Sequence, residues 1–282
     1  CHQPTLFLFT EPIMNLFKAV LLGIVQGLTE FLPISSSGHL VIGSQLLDFN
    51  EPGIAFEVFL HCGTLVAVIL VFRHELRQML RSLFVSRQVR RADPGLDASF
   101  HWNIAVVVAT LPAVVFGLLL KDSIDAIFDT IIITFSMLAF SGILMILTVL
   151  LRDRGAPVSL PRALAIGLAQ AMAIMPGLSR SGSTIFTGML LGINRETAAR
   201  FSFIMSIPAI VGAVVFKIND LRAVPPSMDQ LSYIAAGTAA SLVSGYAAIV
   251  LLLKVVRHGK LPWFGYYCLL VSGIGFFWHF LR

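Results

Sequence analysis

Ionisable side chains are scarce in this 282-residue chain, with Asp, Glu, Lys and Arg making up 12% of it, against about 25% in a soluble globular domain. Twenty Lys and Arg and fifteen Asp and Glu cannot cover the surface of a soluble fold of this length. The 57% hydrophobic content and a mean hydropathy of +0.87 place the chain in a membrane. Cysteine is nearly absent. Cys1, Cys62 and Cys268 are odd in number and have no metal-ligand spacing, which argues against a disulfide framework or a thiolate metal centre. Cys62 and Cys268 fall in apolar stretches, where a thiol behaves as a small hydrophobe. No cleavable signal peptide is legible, because T-L-F-L-F-T near the start is short and lacks a basic flank. The net charge of +5 would suit a nucleic acid, but the basic residues sit between apolar stretches and report membrane orientation instead. Nucleic acid is excluded as a partner.

What the chain has in abundance is apolar runs. Six are long enough to span, at 54–73, 101–120, 128–151, 197–217, 232–254 and 262–281. Two more, 14–47 and 161–192, are interrupted by F-L-P-I-S-S-S-G-H and M-P-G-L-S-R-S-G-S. Irregular polar backbone at membrane depth survives only where protein encloses it or water reaches it, so each predicts a re-entrant pair of half-helices. Arg73, Arg77, Arg81, Arg87, Arg90 and Arg91, then Arg152, Arg154 and Arg162, Arg195 and Arg200, and Lys254, Arg257 and Lys260 occupy alternate connections, while 121–129 and 218–231 are acidic or neutral. The positive-inside rule puts the first set in the cytoplasm. Both termini then point outward, the first hairpin enters from outside and the second from inside. Residues 84–98 read as an Arg-rich loop, and Trp263, Trp278, Tyr266 and Tyr267 as interfacial anchors.

The sequence matches itself at an offset of 144 residues: Ala19/Ala163, Gly23/Gly167, Gln26/Gln170, Ser35/Ser179, Ser37/Ser181, Gly38/Gly182, Phe59/Phe203, Val71/Val215 and Phe72/Phe216. One membrane domain over 1–282 therefore divides into a repeat at about 14–151 and another at 161–281. Each holds one hairpin and three spans, and three is odd, so the copies insert in opposite directions. The predicted fold is an all-α integral membrane protein with six transmembrane helices and two re-entrant hairpins in an inverted-topology repeat, the hairpin tips meeting near the midplane.

The tips carry the polar chemistry. Gln26 and Glu30 share a helical face, followed by Pro33, Ser35, Ser36, Ser37, Gly38 and His39; the second tip offers Pro176, Gly177, Ser179, Arg180, Ser181, Gly182, Ser183 and Thr184. Helix N-termini with hydroxyls and a guanidinium fork suit a phosphate. A carboxylate beside phosphate suits a bridging hard cation or a general base, and His39 suits proton transfer or direct attack on phosphorus. Blander readings exist for each part: a Pro-Ser-Gly kink, serines that only cap helices, an interhelical Gln26–Glu30 hydrogen bond, a buried Arg180–Glu30 ion pair. Packing alone does not demand all of them at two repeat-related tips. Glu57 and His61, also four apart, read slightly better as each other's partners than as part of the site.

Residues 26–39, Q-G-L-T-E-F-L-P-I-S-S-S-G-H, and 176–184, P-G-L-S-R-S-G-S-T, resemble the two signature motifs of the bacterial undecaprenyl-pyrophosphate phosphatases, the bacitracin-resistance phosphatases, and the likeness runs from about residue 14 to 281. It implies an inner-membrane hydrolase, active site facing the periplasm, that converts undecaprenyl pyrophosphate to the monophosphate carrier of cell-wall synthesis with Mg²⁺ or Ca²⁺. Carried over by position, Glu30 and Gln26 serve the metal and acid–base role. Ser36 and His39 are candidate nucleophile and proton-transfer partners, and Arg180 holds the pyrophosphate, with Ser35, Ser37, Ser179, Ser181 and Thr184 as further substrate contacts. Gln26 stands where many members have Glu, which leaves Glu30 the stronger base and ligand. Membrane lipids and a second copy of the chain are further candidate partners. A polyprenyl-phosphate flippase or transporter is the rival reading, since inverted repeats are also a transporter architecture.

Overall fold

The computed structural model describes residues 7–47, 53–119, 130–223 and 227–281. Twelve α-helices are described: α1 (Phe7–Phe31), α2 (Ser36–Leu46), α3 (Gly53–Val71), α4 (Arg73–Phe84), α5 (Arg87–Ala92), α6 (Pro94–Leu119), α7 (Ile131–Leu147), α8 (Leu160–Met172), α9 (Arg180–Leu190), α10 (Arg195–Ala223), α11 (Met228–Arg257) and α12 (Pro262–Phe280). Among the described residues the sole β-pairing is an isolated bridge between Ala156 and Ile193.

Both interrupted stretches break where their Pro, Ser and Gly residues lie. α1 ends at Phe31, and Ser35 takes a φ of 68° before α2 begins. In the second, Gly177 has a φ of 86° and passes so close to Thr134 that a Cβ would fall 2.0 Å from its carbonyl oxygen, leaving room only for glycine. The arms differ from the expected half-helices in one respect. α1 has 25 residues and begins at Phe7, upstream of the expected start at 14, whereas α8 has 13.

Among the described residues, four stretches are long and apolar enough to cross a membrane: Pro94–Leu119, Ile131–Leu150, Arg195–Val215 and Gln230–Arg257; α3 and α4, bent by 79°, supply a fifth if taken as one broken span. The sixth expected span, α12, carries Trp263, Tyr266, Tyr267, Trp278 and His279, whose polar atoms dilute its hydropathy. The acidic connection at 121–129 lies outside the described residues. The Arg-rich stretch after α3 is not the loop its charge suggested. It folds as α4 and α5, and α6 already starts at Pro94. Met79 and Ser82 of α4 are buried, and Asn103 of α6 donates to the Met79 carbonyl at 2.9 Å and to Ser82 Oγ at 3.0 Å. The helix is therefore held flat across the end of the bundle.

Helix packing exchanges partners between the two halves. α1 packs along α11, and α8 packs along α6; α3 packs on α11, and α10 on α6; α7 pairs with α12. Repeat-related glycines mediate the first two contacts. A Cβ on Gly23 would meet the Gly237 carbonyl oxygen of α11 at 2.3 Å, and one on Gly167 would meet the Ala109 carbonyl oxygen of α6 at 2.3 Å. Small residues let membrane helices approach this closely and gain dispersion energy from the contact.

The basic connections gather at one end. Arg200 of α10 reaches Glu75 of α4 at 2.5 Å, Arg257 at the end of α11 reaches Glu196 at the start of α10 at 2.7 Å, and Asn194 reaches Asp153 at 2.5 Å. Polar contacts among four of the connections, two of them made by arginines of α10 and α11, thus share one end of the bundle.

Candidate active site

The two breaks meet. Ser181 Oγ donates to the Leu32 carbonyl at 3.2 Å, and the Gly177 amide donates to Ser37 Oγ at 3.5 Å. Ser179 caps α9 by accepting from the Gly182 amide at 3.1 Å, and its own amide donates to Ser141 Oγ at 2.8 Å. Thr184 donates to the Arg180 carbonyl at 2.8 Å and shares a hydrogen bond with Ser202 of α10 at 2.6 Å. The hydroxyls of Ser181 and Thr184 are therefore spent on stitching the breaks to each other and to α10. Neither lines either of the two cavities beside Glu30.

Glu30, only 8% exposed, is the hub. Its Oε1 accepts from Arg180 Nη2 at 2.5 Å, and its Oε2 accepts from Ser36 Oγ at 2.7 Å and from Gln26 Nε2 at 3.0 Å. His61 Nε2 stands 3.8 Å from the same Oε2. Helix geometry explains part of this: Gln26 and Glu30 are one turn apart on α1, and the tight turn at Ser35 folds Ser36 back over the end of that helix. An ion pair at this depth is tolerable because each charge is met by hydrogen-bond partners as well as by its counter-ion.

The cluster opens on two adjoining cavities of ≈ 420 and ≈ 680 Å³. Glu30, Ser35, Ser179, Arg180 and Gln170 line the first, together with an apolar wall from α6 and α10. Gln26, Glu57 and Lys217 line the second. Ser36, Ser37 and His61 line both. Lys217 and Glu57 pair at 3.0 Å. Lys217 lies 22 residues beyond Arg195 along α10, about 33 Å at helical rise, so this cavity leads away from the arginine-rich end.

His39 is not in the cluster. Its Nδ1 contacts the Ser35 carbonyl at 2.8 Å, its Nε2 meets Tyr267 Oη at 2.9 Å, and its ring stacks on Tyr267 at 5.6 Å. His61 takes the place beside Glu30 instead. The expected pairing of Glu57 with His61 reduces to a contact between the His61 ring and the Glu57 carbonyl at 2.8 Å, since the Glu57 carboxylate is held by Lys217. Helical spacing showed that Glu57 and His61 share a face but not which neighbour each would find.

Comparison with known proteins shows the family of the chain. The family model for bacitracin resistance protein BacA matches residues 19–274. A protein of Desulfosudis oleivorans named undecaprenyl-diphosphatase is 41% identical over 277 residues, covering 94% of this chain and 97% of the relative. Proteins of the same name from Desulforapulum autotrophicum and Salinibacter ruber are 39% and 36% identical, covering 92% and 93% of this chain and 96% and 98% of theirs. With both breaks and the residues between them inside the matched region, the chain belongs to the bacitracin resistance protein BacA family.

Proposed function

We propose that this chain is an integral-membrane phosphatase that hydrolyses undecaprenyl pyrophosphate to undecaprenyl phosphate and inorganic phosphate, recycling the lipid carrier of cell-wall synthesis and so conferring bacitracin resistance. The observation that carries the reading is the Ser36–Glu30–Arg180 arrangement: a hydroxyl donating to a buried carboxylate at 2.7 Å, with a guanidinium on the other oxygen, beside a cavity. A hydroxyl held against a base is an activated nucleophile.

Ser36 Oγ attacks the terminal phosphorus and gives its proton to Glu30. The bond to the bridging oxygen breaks, and undecaprenyl phosphate leaves with the electron pair. Water then cleaves the phosphoserine: its hydroxide goes to phosphorus and its proton passes to the departing phosphate, while Glu30 returns its proton to Ser36 Oγ, restoring the hydroxyl and the carboxylate. Arg180 has donors beyond the one given to Glu30, and they neutralise the phosphoryl oxygens as charge spreads over them. His39 acts on geometry: its ring holds the Ser35 carbonyl and so the left-handed turn that aims Ser36. Substrate contacts come from Ser35, Ser37 and Ser179, while Ser181 and Thr184 support them through the hydrogen bonds already described. The apolar wall of α6 and α10 accepts the start of the polyprenyl chain.

A divalent cation, Mg²⁺ or Ca²⁺, fits here as a companion of the substrate. Among the described residues no group of three or more His, Cys, Asp or Glu could hold a metal by itself. Gln26 Oε1, however, is buried without a partner beside Glu30, and these two oxygens together with phosphate oxygens make the donor set of a hard ion. Such an ion would neutralise pyrophosphate charge.

We further propose six spans and two re-entrant hairpins in two inverted repeats, with the arginine-rich end in the cytoplasm of the inner membrane and the site open to the outer face. The exchanged packing of α1 on α11 and α8 on α6 supports the inversion. The test is phosphate release from farnesyl pyrophosphate by detergent-purified protein with Mg²⁺, where no gradient exists. A flippase or transporter would release none.

A further inference from the structure

Gln26 and Gln170 occupy equivalent positions in the two halves, 144 residues apart. Each lies one helical turn before its break. In the first half the residue four positions on is Glu30, which accepts from the Gln26 amide at 3.0 Å. In the second half that position is Ile174, which has nothing to offer an amide. Gln170 is 3% exposed, and neither its Nε2 nor its Oε1 has a hydrogen-bond partner. It lines the ≈ 420 Å³ cavity with Arg180, Ser36 and Glu30.

A buried amide left without partners is costly, and leucine would fill the same volume without that cost. Polar groups kept unpaired at a cavity wall mark the place where a ligand supplies the missing partners. A side-chain amide presents one donor group and one acceptor at fixed separation. We infer that Gln170 is a substrate-binding residue, its Nε2 donating to a non-bridging oxygen of the pyrophosphate and its Oε1 accepting from a hydroxyl or water on the same phosphate. The identity of this ligand rests on the phosphatase reading; the presence of an unserved amide in the cavity wall does not. The amide adds a neutral contact to the charged one from Arg180, so it reads the position of the phosphate without adding to the charge balance at Glu30.

The test compares full-length wild-type protein with Gln170→Leu in detergent, by farnesyl pyrophosphate kinetics and by the thermal shift on adding inorganic pyrophosphate. The expected result is a KM raised about tenfold, from a lost hydrogen bond to a charged group, with kcat within about threefold. The pyrophosphate-induced shift shrinks, and the melting temperature of the free protein stays equal or rises. A free protein that melts lower, with KM and pyrophosphate shift unchanged, would make Gln170 a packing residue and overturn the inference. If Gln170→Leu does not purify folded, Gln170→Met carries the same comparison. Should the wild type release no phosphate, the phosphatase reading fails, yet the pyrophosphate shift of the two proteins still decides whether Gln170 meets the anion.

Discussion

Arg180 Nη2 and Glu30 Oε1 meet at 2.5 Å across 150 positions of sequence, one contributed by each break. The pair is at once the joint between the two halves and the charged core of the candidate site. Removing one partner strands the other in a poorly solvated place, at a cost of about 3–5 kcal/mol. Arg180→Ala is expected to lower kcat at least about a hundredfold and to lower the melting temperature. The double variant Arg180→Ala/Glu30→Gln should be equally inactive but should recover part of the stability, since no bare charge remains. Phosphate release and thermal melts on the three proteins check this; a double variant less stable than Arg180→Ala contradicts the pairing.

Ser36 and His39 separate by their surroundings. Ser36 donates to Glu30, whereas both ring nitrogens of His39 are engaged by the Ser35 carbonyl and Tyr267. Rapid quench with labelled substrate and mass mapping should place the phosphoryl group on Ser36. Ser36→Ala should show none and turn over at least about 10³-fold more slowly. His39→Ala should still form the phosphoenzyme, at a rate reduced about tenfold as the turn at Ser35 loosens. Label on His39 would reverse the two roles.

Gln26 carries the unpartnered Oε1 beside Glu30. Gln26→Glu adds a carboxylate oxygen where a hard cation would bind. The half-saturating Mg²⁺ concentration should fall about tenfold, and excess chelator should silence the wild type. A cation dependence identical in both proteins would place the ion elsewhere.

At the far end of the bundle, the Glu196 carboxylate accepts from Arg257 Nη2 at 2.7 Å and from Arg200 Nη2 at 2.9 Å, tying the end of α11 to the start of α10. Glu196→Gln should melt slightly lower than wild type at low salt, and the difference should shrink as salt is raised. The effect is small because the pair is solvent-screened. Melting curves at low and high salt test it.

The breaks were legible because Pro33, Pro176 and Gly177 stand in otherwise apolar runs, and the meeting of Glu30 with Arg180 followed from the self-match. Other features escaped for physical reasons. A run of hydroxyls does not reveal which ones turn inward, and Ser181 and Thr184 proved to bind the protein itself. His61 shares a face with Glu57, but only tertiary packing decides that Lys217 takes Glu57 and leaves His61 to Glu30. The arginines after α3 read as a charged connection and hid the helical spacing of Leu76, Met79 and Leu83 between them. Gln170 appeared in the self-match as one identity among many; its meaning depends on Ile174, a residue that does not match.

The exchange of helix partners sets a timetable for synthesis. α1 is made well before the surface that receives Gly23, which belongs to α11 about 200 residues later, and Glu30 waits 150 residues for Arg180. Contacts this distant in sequence form late. The first half must therefore wait with its polar tip unmatched until the second break has been made, and α1 gains its packing partner only when α11 follows.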